Sequence, residues 1–391
     1  MSWKGEEGMK RIRKCISFIL TIMIIFNSVI PVSASENITS LNVDAKNHML
    51  RILASIEDEK EYYGLETVDF SKIQLGTEIP TYRVFEGCLI KADIRLIPIV
   101  NNEKILSFFY IAADKSGEII VQLSNELVVP LSKHINKTSS VALIYDSDGV
   151  YLYDGADLCL IGLNEQNTSI APVLNTKSRV DNYDSITSIA FKKIEEINRT
   201  NYLSAVNELD VASFKINFQE SVSRVIMAHY LSVDIITQPV NTNICWAIAL
   251  TSIINYVWDS NWSYSDIVDM FTGGVDKPLT TREVVSNFNY WFSTDWSYIY
   301  TSQIEPTVIL NYLYAGYPIY GLFERPNADI AHAVVIRGVN TAYNTFSVMN
   351  PSPTTSGYTS GTISSTNVLT FISGYNGNTF TLCDYAFPII P

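Results

Sequence analysis

The sequence predicts an α+β chain in two parts, a helix on an antiparallel sheet followed by a region that opens with helices and closes with strands. Three observations lead there. A run at helical period, apolar at 41, 43, 49, 50, 52 and 53, precedes the short alternating runs TYRVFEG, ILSFFYIAA, GEIIVQL, VALIYD and GVYLYDG, which are separated by turn residues such as Asn101-Asn102. From about residue 225 aromatic residues become frequent and lysine nearly vanishes, as expected of a second, separately packed region. There, Ala249, Leu250, Ile253, Ile254 and Val257 line one face of a helix over 244–257, YSDIVDMF reads as another helix, and the runs from 315 onward read as strands.

Taken in order, residues 1–34 have the tripartite form of an export signal: a basic KRIRK, an apolar CISFILTIMIIF and a small-residue VSA ending at Ala34. The apolar run is broken by Asn27 and Ser28 and followed by Pro31, too short to span a bilayer, so no stable membrane anchor is expected and the chain is expected outside the cell or at its surface. Residues 35–164 form the helix-and-sheet unit. Residues 165–224 turn polar and carry one amphipathic helical run, DSITSIAFKKIEEINRT, as a connector open to proteolysis. Residues 225–391 form the second unit.

A net charge of -13 argues against a phosphate-binding surface, and after residue 225 the only basic side chains are Lys277, Arg282, Arg325 and Arg337. Nucleic acid is not expected as a partner. Beyond the signal the cysteines are Cys88, Cys159, Cys245 and Cys383, too few for a disulfide scaffold, so the fold rests on its core.

Cys245 falls in the first turn of the 244–257 helix, with Thr242 or Asn243 available as the N-cap. The helix dipole and the unpaired N–H groups there favour a thiolate, the form of cysteine that attacks carbonyls. A buried cysteine is equally at home as a small core residue. His332 opens the strand AHAVVIRG, and TFSVMNP ends in Asn350-Pro351; VNTAYN between them is a turn by composition. Pairing His332 with Asn350 centres that turn on Thr341 and brings an imidazole beside a side-chain amide, the contact that orients a catalytic base. Gln238, just ahead of the helix, adds a side-chain amide that with the backbone N–H of Cys245 would give an oxyanion two donors.

Gln238, Cys245-Trp246-Ala247, His332 and Asn350, in that order, resemble papain-like cysteine peptidases, nearest the secreted bacterial branch that includes staphopain and streptopain. The resemblance covers roughly residues 225–391. It implies a papain-like two-lobe catalytic domain, a helical lobe plus an antiparallel sheet lobe, with Cys245 as nucleophile, His332 as general base and then acid, Asn350 orienting the imidazole and Gln238 donating to the oxyanion. The substrate would be protein or peptide, and the preceding α+β unit would be an inhibitory prodomain, the chain's own intramolecular inhibitor. One departure stands out: Pro351 follows the asparagine, so the indole that shields the His-Asn contact in plant and lysosomal members has no counterpart by motif.

No cofactor or metal is expected, because no H-E-x-x-H or paired Cys/His ligand set occurs. Two other functions use the same residues differently. A cell-wall amidase or transamidase would share the nucleophile, and a non-catalytic module would grip peptide or glycan with the aromatic band Trp258, Trp262, Tyr264, Trp291, Trp296, Tyr298 and Tyr300.

Overall fold

The computed structural model describes residues 41–389 except 86–87, 115, 136–140, 147–148, 155–157, 164–199, 222–226, 240–241, 326–330, 352–357 and 375–376. The chain divides into two units, residues 1–39 and residues 40–391; the expected export signal and the amphipathic run of the connector lie outside the described residues. Among those described, no helix is long and apolar enough to cross a membrane.

The second unit begins with helix α1 (Val43–Ile56), capped by the Asn42 side chain on the Asp44 N–H, and a 3-10 turn over Glu57–Tyr63. Then come β1 (Lys72–Leu75), β2 (Thr81–Phe85), β3 (Cys88–Lys91), β4 (Arg95–Asn101), β5 (Lys104–Ala113), β6 (Ile119–Ser124), α2 (Val128–Ser132), β7 (Ala142–Tyr145), β8 (Gly149–Tyr153) and β9 (Leu158–Leu163). Past the gap follow β10 (Asn207–Asp210), α3 (Val211–Ser221) and β11 (Ala228–Tyr230). The remainder is α4 (Cys245–Trp258), α5 (Tyr264–Thr272), α6 (Thr281–Phe292), β12 (Trp296–Tyr300), α7 (Pro306–Tyr314), β13 (Ile319–Glu324), β14 (Ala331–Asn340), β15 (Thr345–Met349), β16 (Tyr358–Thr362), β17 (Thr370–Ile372) and β18 (Thr379–Pro388).

The expected fold class is corrected by the sheet. A 13-stranded antiparallel sheet runs β10-β1-β4-β5-β6-β16-β15-β14-β13-β18-β12, with β11 on β14 and β17 on β18; a five-stranded sheet runs β3-β2-β7-β8-β9. The large sheet crosses from the first half of the chain into the second where Leu123 and Gln122 of β6 face Ser360 and Gly361 of β16. Helices α4, α6 and α7 pack on this sheet, so the helical lobe plus sheet lobe of the papain-like expectation is not what forms. Nor is the first half one helix on one sheet, because β2 and β7 pair in parallel and found the second sheet.

Alternation along β5 and β6 explains the layering. Phe109, Ile111, Val121 and Leu123 turn to one face and join a core that includes Met49, Ile52 and Leu53 of α1 together with Trp246, Ile253, Val335 and Val348. Phe108, Tyr110, Ala112 and Ile120 turn to the other face and pack with Leu143, Tyr145, Val150 and Leu152 of the smaller sheet. Both faces being buried, these strands read as nearly continuous apolar runs. The polar stretch expected to be only a connector also contributes structure where it is described: β10 pairs with β1 along its length.

Candidate active site

His332 is the second residue of β14 and pairs with Phe323 of β13; Asn350 directly follows β15. The turn between β14 and β15 lies where the sequence placed it, but the register does not. Val335 faces Met349, and past a bulge at Arg337, Asn340 faces Thr345. Extending the first register sets Asn350 beside Val334, two residues from His332. The side chains meet across that diagonal, a reach long polar groups can make, with His332 Nε2 and Asn350 Oδ1 2.6 Å apart.

This contact is buried. His332 is 6% exposed and Asn350 4%, and the imidazole lies over Phe371 at a centroid distance of 6.1 Å and an interplanar angle of 27°, with Phe380 at 6.4 Å. The cover that a following indole gives in the resembled family comes here from two phenylalanines of β17 and β18, residues whose distance in sequence hid them.

Asn350 has a further partner that the sequence reading missed. Its Nδ2 donates to Glu126 Oε1 at 2.6 Å, and Glu126 Oε2 accepts the backbone N–H of Gly374 at 3.0 Å. Glu126 is 1% exposed. Strand β6 brings it there: the Gln122 side chain bonds both the N–H and the carbonyl of Ile372, at 2.8 and 2.6 Å, and locks β6 against β17. A Cβ at Gly374 would sit 2.6 Å from Glu126 Oε2, so glycine leaves the carboxyl group room to accept this N–H. A lone acid between Asn125 and Leu127 carries no sequence signal of this role.

Cys245 is the first residue of α4 and is half-buried at the margin of the larger core. The expected N-cap is corrected. The N-cap is Ile244, which offers no side-chain acceptor; the Thr242 hydroxyl donates instead to Pro239 O at 2.8 Å, and the Asn243 N–H to Asp276 Oδ1 at 2.8 Å. By contrast α5 and α6 both carry full capping boxes, Ser263 with Asp266 and Thr280 with Glu283. Among the described residues no side chain caps the first turn of α4; the Ala247 N–H turns back to Ile244 O at 2.9 Å. Trp246 fixes the turn: its indole N–H donates to Lys277 O at 2.9 Å, and its ring stacks on Phe271 at 5.7 Å. Since α4 packs on β13 and β14, the thiol's helix and the imidazole's strand share one layer boundary.

Gln238 is buried, and its Nε2 donates to Thr242 O at 2.5 Å, which ties the loop ahead of α4. An amide nitrogen carries two hydrogens, so a second donor remains. Tyr320 of β13 has a buried hydroxyl; burial first, then the charges of Cys245, Asp384 and Cys383, push its pKa well above the ordinary value. His229 of β11 lies against Tyr314 at a ring-centroid distance of 4.7 Å.

The aromatic band divides. Trp296 is core and packs edge-on to Phe288 at 4.9 Å, whereas Trp291, Tyr298 and Tyr300 are exposed. Beside the smaller sheet His134, which follows α2, Asp154, which follows β8, and Cys159 of β9 bring their ligating atoms within 4.8 Å of one another, the set among the described residues with the chemistry to hold a borderline metal ion. Sequence spacing gave no sign of it. Compared with protein-family models the chain matches none, and a search of curated proteins returns no match.

Proposed function

We propose that this chain is an exported cysteine peptidase acting through Cys245, His332, Asn350 and Gln238. The observation that carries the reading is the buried 2.6 Å contact between His332 Nε2 and Asn350 Oδ1. Asn350 gives its N–H to a carboxylate, so the atom facing the imidazole is its oxygen, an acceptor. Nε2 must then carry the ring proton, and Nδ1 is left with its lone pair, the state required of a base. The order of Gln, Cys, His and Asn shared with papain-like cysteine peptidases supports the same reading as a likeness of motif.

In the reaction His332 Nδ1 takes the proton of Cys245 Sγ, and the sulfur attacks the peptide carbonyl. The oxyanion accepts the Cys245 N–H and the second hydrogen of Gln238 Nε2. Collapse expels the amine, which takes the proton from His332, and leaves a thioester that water, deprotonated by the same imidazole, hydrolyses. The Nε2–H bond to Asn350 persists through both steps and keeps the imidazolium facing the sulfur.

The test is digestion of casein and of peptidoglycan by the purified chain, by Cys245→Ala and by His332→Ala, with thiol alkylation followed across pH. Casein hydrolysis lost in both variants, with Cys245 alkylated at lower pH than a free thiol, is the expected result. Release from peptidoglycan alone would make the chain a cell-wall amidase, and an unreactive thiol with neither activity would leave a binding module.

A further inference from the structure

We infer that Glu126, supplied by the N-terminal half of the chain, is a positioning residue for Asn350, which makes that half a working part of the site; the inference rests on the reading of Cys245, His332 and Asn350 as a catalytic set. The primary amide of an asparagine has no intrinsic preference for which end faces a histidine. If the two ends exchange, Nδ2 faces Nε2, the ring proton moves to Nδ1, and the base is lost. Glu126 removes that choice. It is enclosed, and each of its oxygens accepts a hydrogen bond, Oε1 from Asn350 Nδ2 at 2.6 Å and Oε2 from the Gly374 N–H at 3.0 Å. The oxygen of Asn350 is thereby turned to the imidazole.

A domain that silenced the site by displacing its residues would hold Asn350 and His332 apart. Here the N-terminal half holds them together. It is also joined to the second half by more than this bond: β6 pairs with β16, Gln122 brackets Ile372, and α1 shares one core with Trp246 and Val335. Removing residues 41–163 would open the β16 edge, strip the larger core and leave the Asn350 amide without its acceptor. The inhibitory prodomain expected from the family resemblance asks for the opposite, a cover that leaves a finished enzyme behind.

Three measurements on the full chain test this. Glu126→Gln keeps shape and removes charge, and it offers one acceptor oxygen to two donors; kcat is expected to fall on the order of 10²-fold with KM nearly unchanged, as for a misplaced rather than an unbound substrate. In the unaltered chain, nitrogen NMR of labelled imidazole is expected to show His332 protonated on Nε2, with the tautomer mixed in Glu126→Gln. Finally, the species labelled at Cys245 by a biotinylated iodoacetamide is expected to retain residues 41–163 by mass spectrometry. A folded Glu126→Gln with unaltered kcat, a ring in the unaltered chain protonated on Nδ1 and not on Nε2, or a labelled species lacking the N-terminal half would each overturn the inference. Casein hydrolysis that needs Cys245 but ignores Glu126 would sink the inference alone. Hydrolysis that ignores Cys245 would sink the proposed function, and the tautomer measurement, which needs no turnover, would still decide the role of Glu126.

Discussion

Arg337 of β14 grips Glu59 of the N-terminal half through both terminal nitrogens, 2.9 and 2.6 Å from the two carboxylate oxygens. The arginine is fully buried; its Nε donates to Leu231 O, Nη1 also donates to Ser347 Oγ at 2.9 Å, and the guanidinium lies 3.8 Å from the Tyr358 ring centroid. Arg337 is the bulged residue that shifts the β14–β15 register, so the side chain that anchors the two halves sits in the same hairpin that carries His332 and Asn350.

Breaking this pair from one side leaves a buried charge without its partner. Glu59→Gln is therefore expected to destabilise the chain by about 3–5 kcal/mol, whereas the double replacement Glu59→Leu with Arg337→Met recovers most of that loss. Urea unfolding of the two variants checks the contrast. Equal destabilisation by both would show that packing, and not the uncompensated charge, sets the cost.

Gln238 ties Thr242 O through Nε2, and on the proposed reading its second hydrogen meets the oxyanion. Gln238→Ala is expected to lower kcat on the order of 10²-fold, in the range seen when one oxyanion donor is lost, with a smaller change in KM. Steady-state kinetics on a peptide substrate reads both. A purely structural glutamine would instead lower the melting temperature and leave kcat of the folded enzyme intact.

Gly338 packs its Cα face against Tyr230, and a Cβ there would lie 2.1 Å from the ring. Gly338→Ala must expel that ring and separate β11 from β14, which pair at Tyr230 and Gly338. A loss of about 1–3 kcal/mol is expected, as for other overpacked sites, measured by chemical unfolding. Tyr230→Ala added to Gly338→Ala should recover part of it, because it makes the room the methyl needs.

How far the sequence could be read depended on distance along the chain. The α4 helix, the strands β2, β5, β6, β7 and β8, and the hairpin turn near Thr341 were legible because period and turn chemistry are local. The fold class was misread because the decisive event, Leu123 and Gln122 pairing with Ser360 and Gly361, joins residues more than 200 positions apart and leaves no local pattern. The site divides the same way. The side chains of the proposed set, Gln238, Cys245, His332 and Asn350, could be named from a motif, whereas Glu126, Phe371 and Phe380 come to His332 and Asn350 only through sheet pairing. The N-cap was misassigned because the cap falls one residue later, at Ile244, and the Thr242 hydroxyl is spent on Pro239 O, a contact that composition cannot rank.

Asp384 of β18 gives the fold a pH dependence whose sign can be derived. Burial first, and then the Glu324 charge, raise its pKa from 3.8 to about 6, against the lowering effect of the Thr281 hydroxyl bonded to it. The folded chain thus holds this proton where the unfolded chain has released it. Its contribution to stability is fully present below pH 3.8, is lost as pH rises to about 6, and is flat above that. Asp384→Asn keeps an acceptor for Thr281 and never ionises, so the variant is expected to match the unaltered chain in acid and to exceed it at pH 7.5 by about 1–2 kcal/mol once solvent screening is allowed for. Urea unfolding of both chains at pH 4 and pH 7.5 measures the difference. A gap of the same size at both pH values would mean that Asp384 does not titrate between them, and the Thr281–Asp384 bond would then have to be one between a hydroxyl and a permanently charged carboxylate.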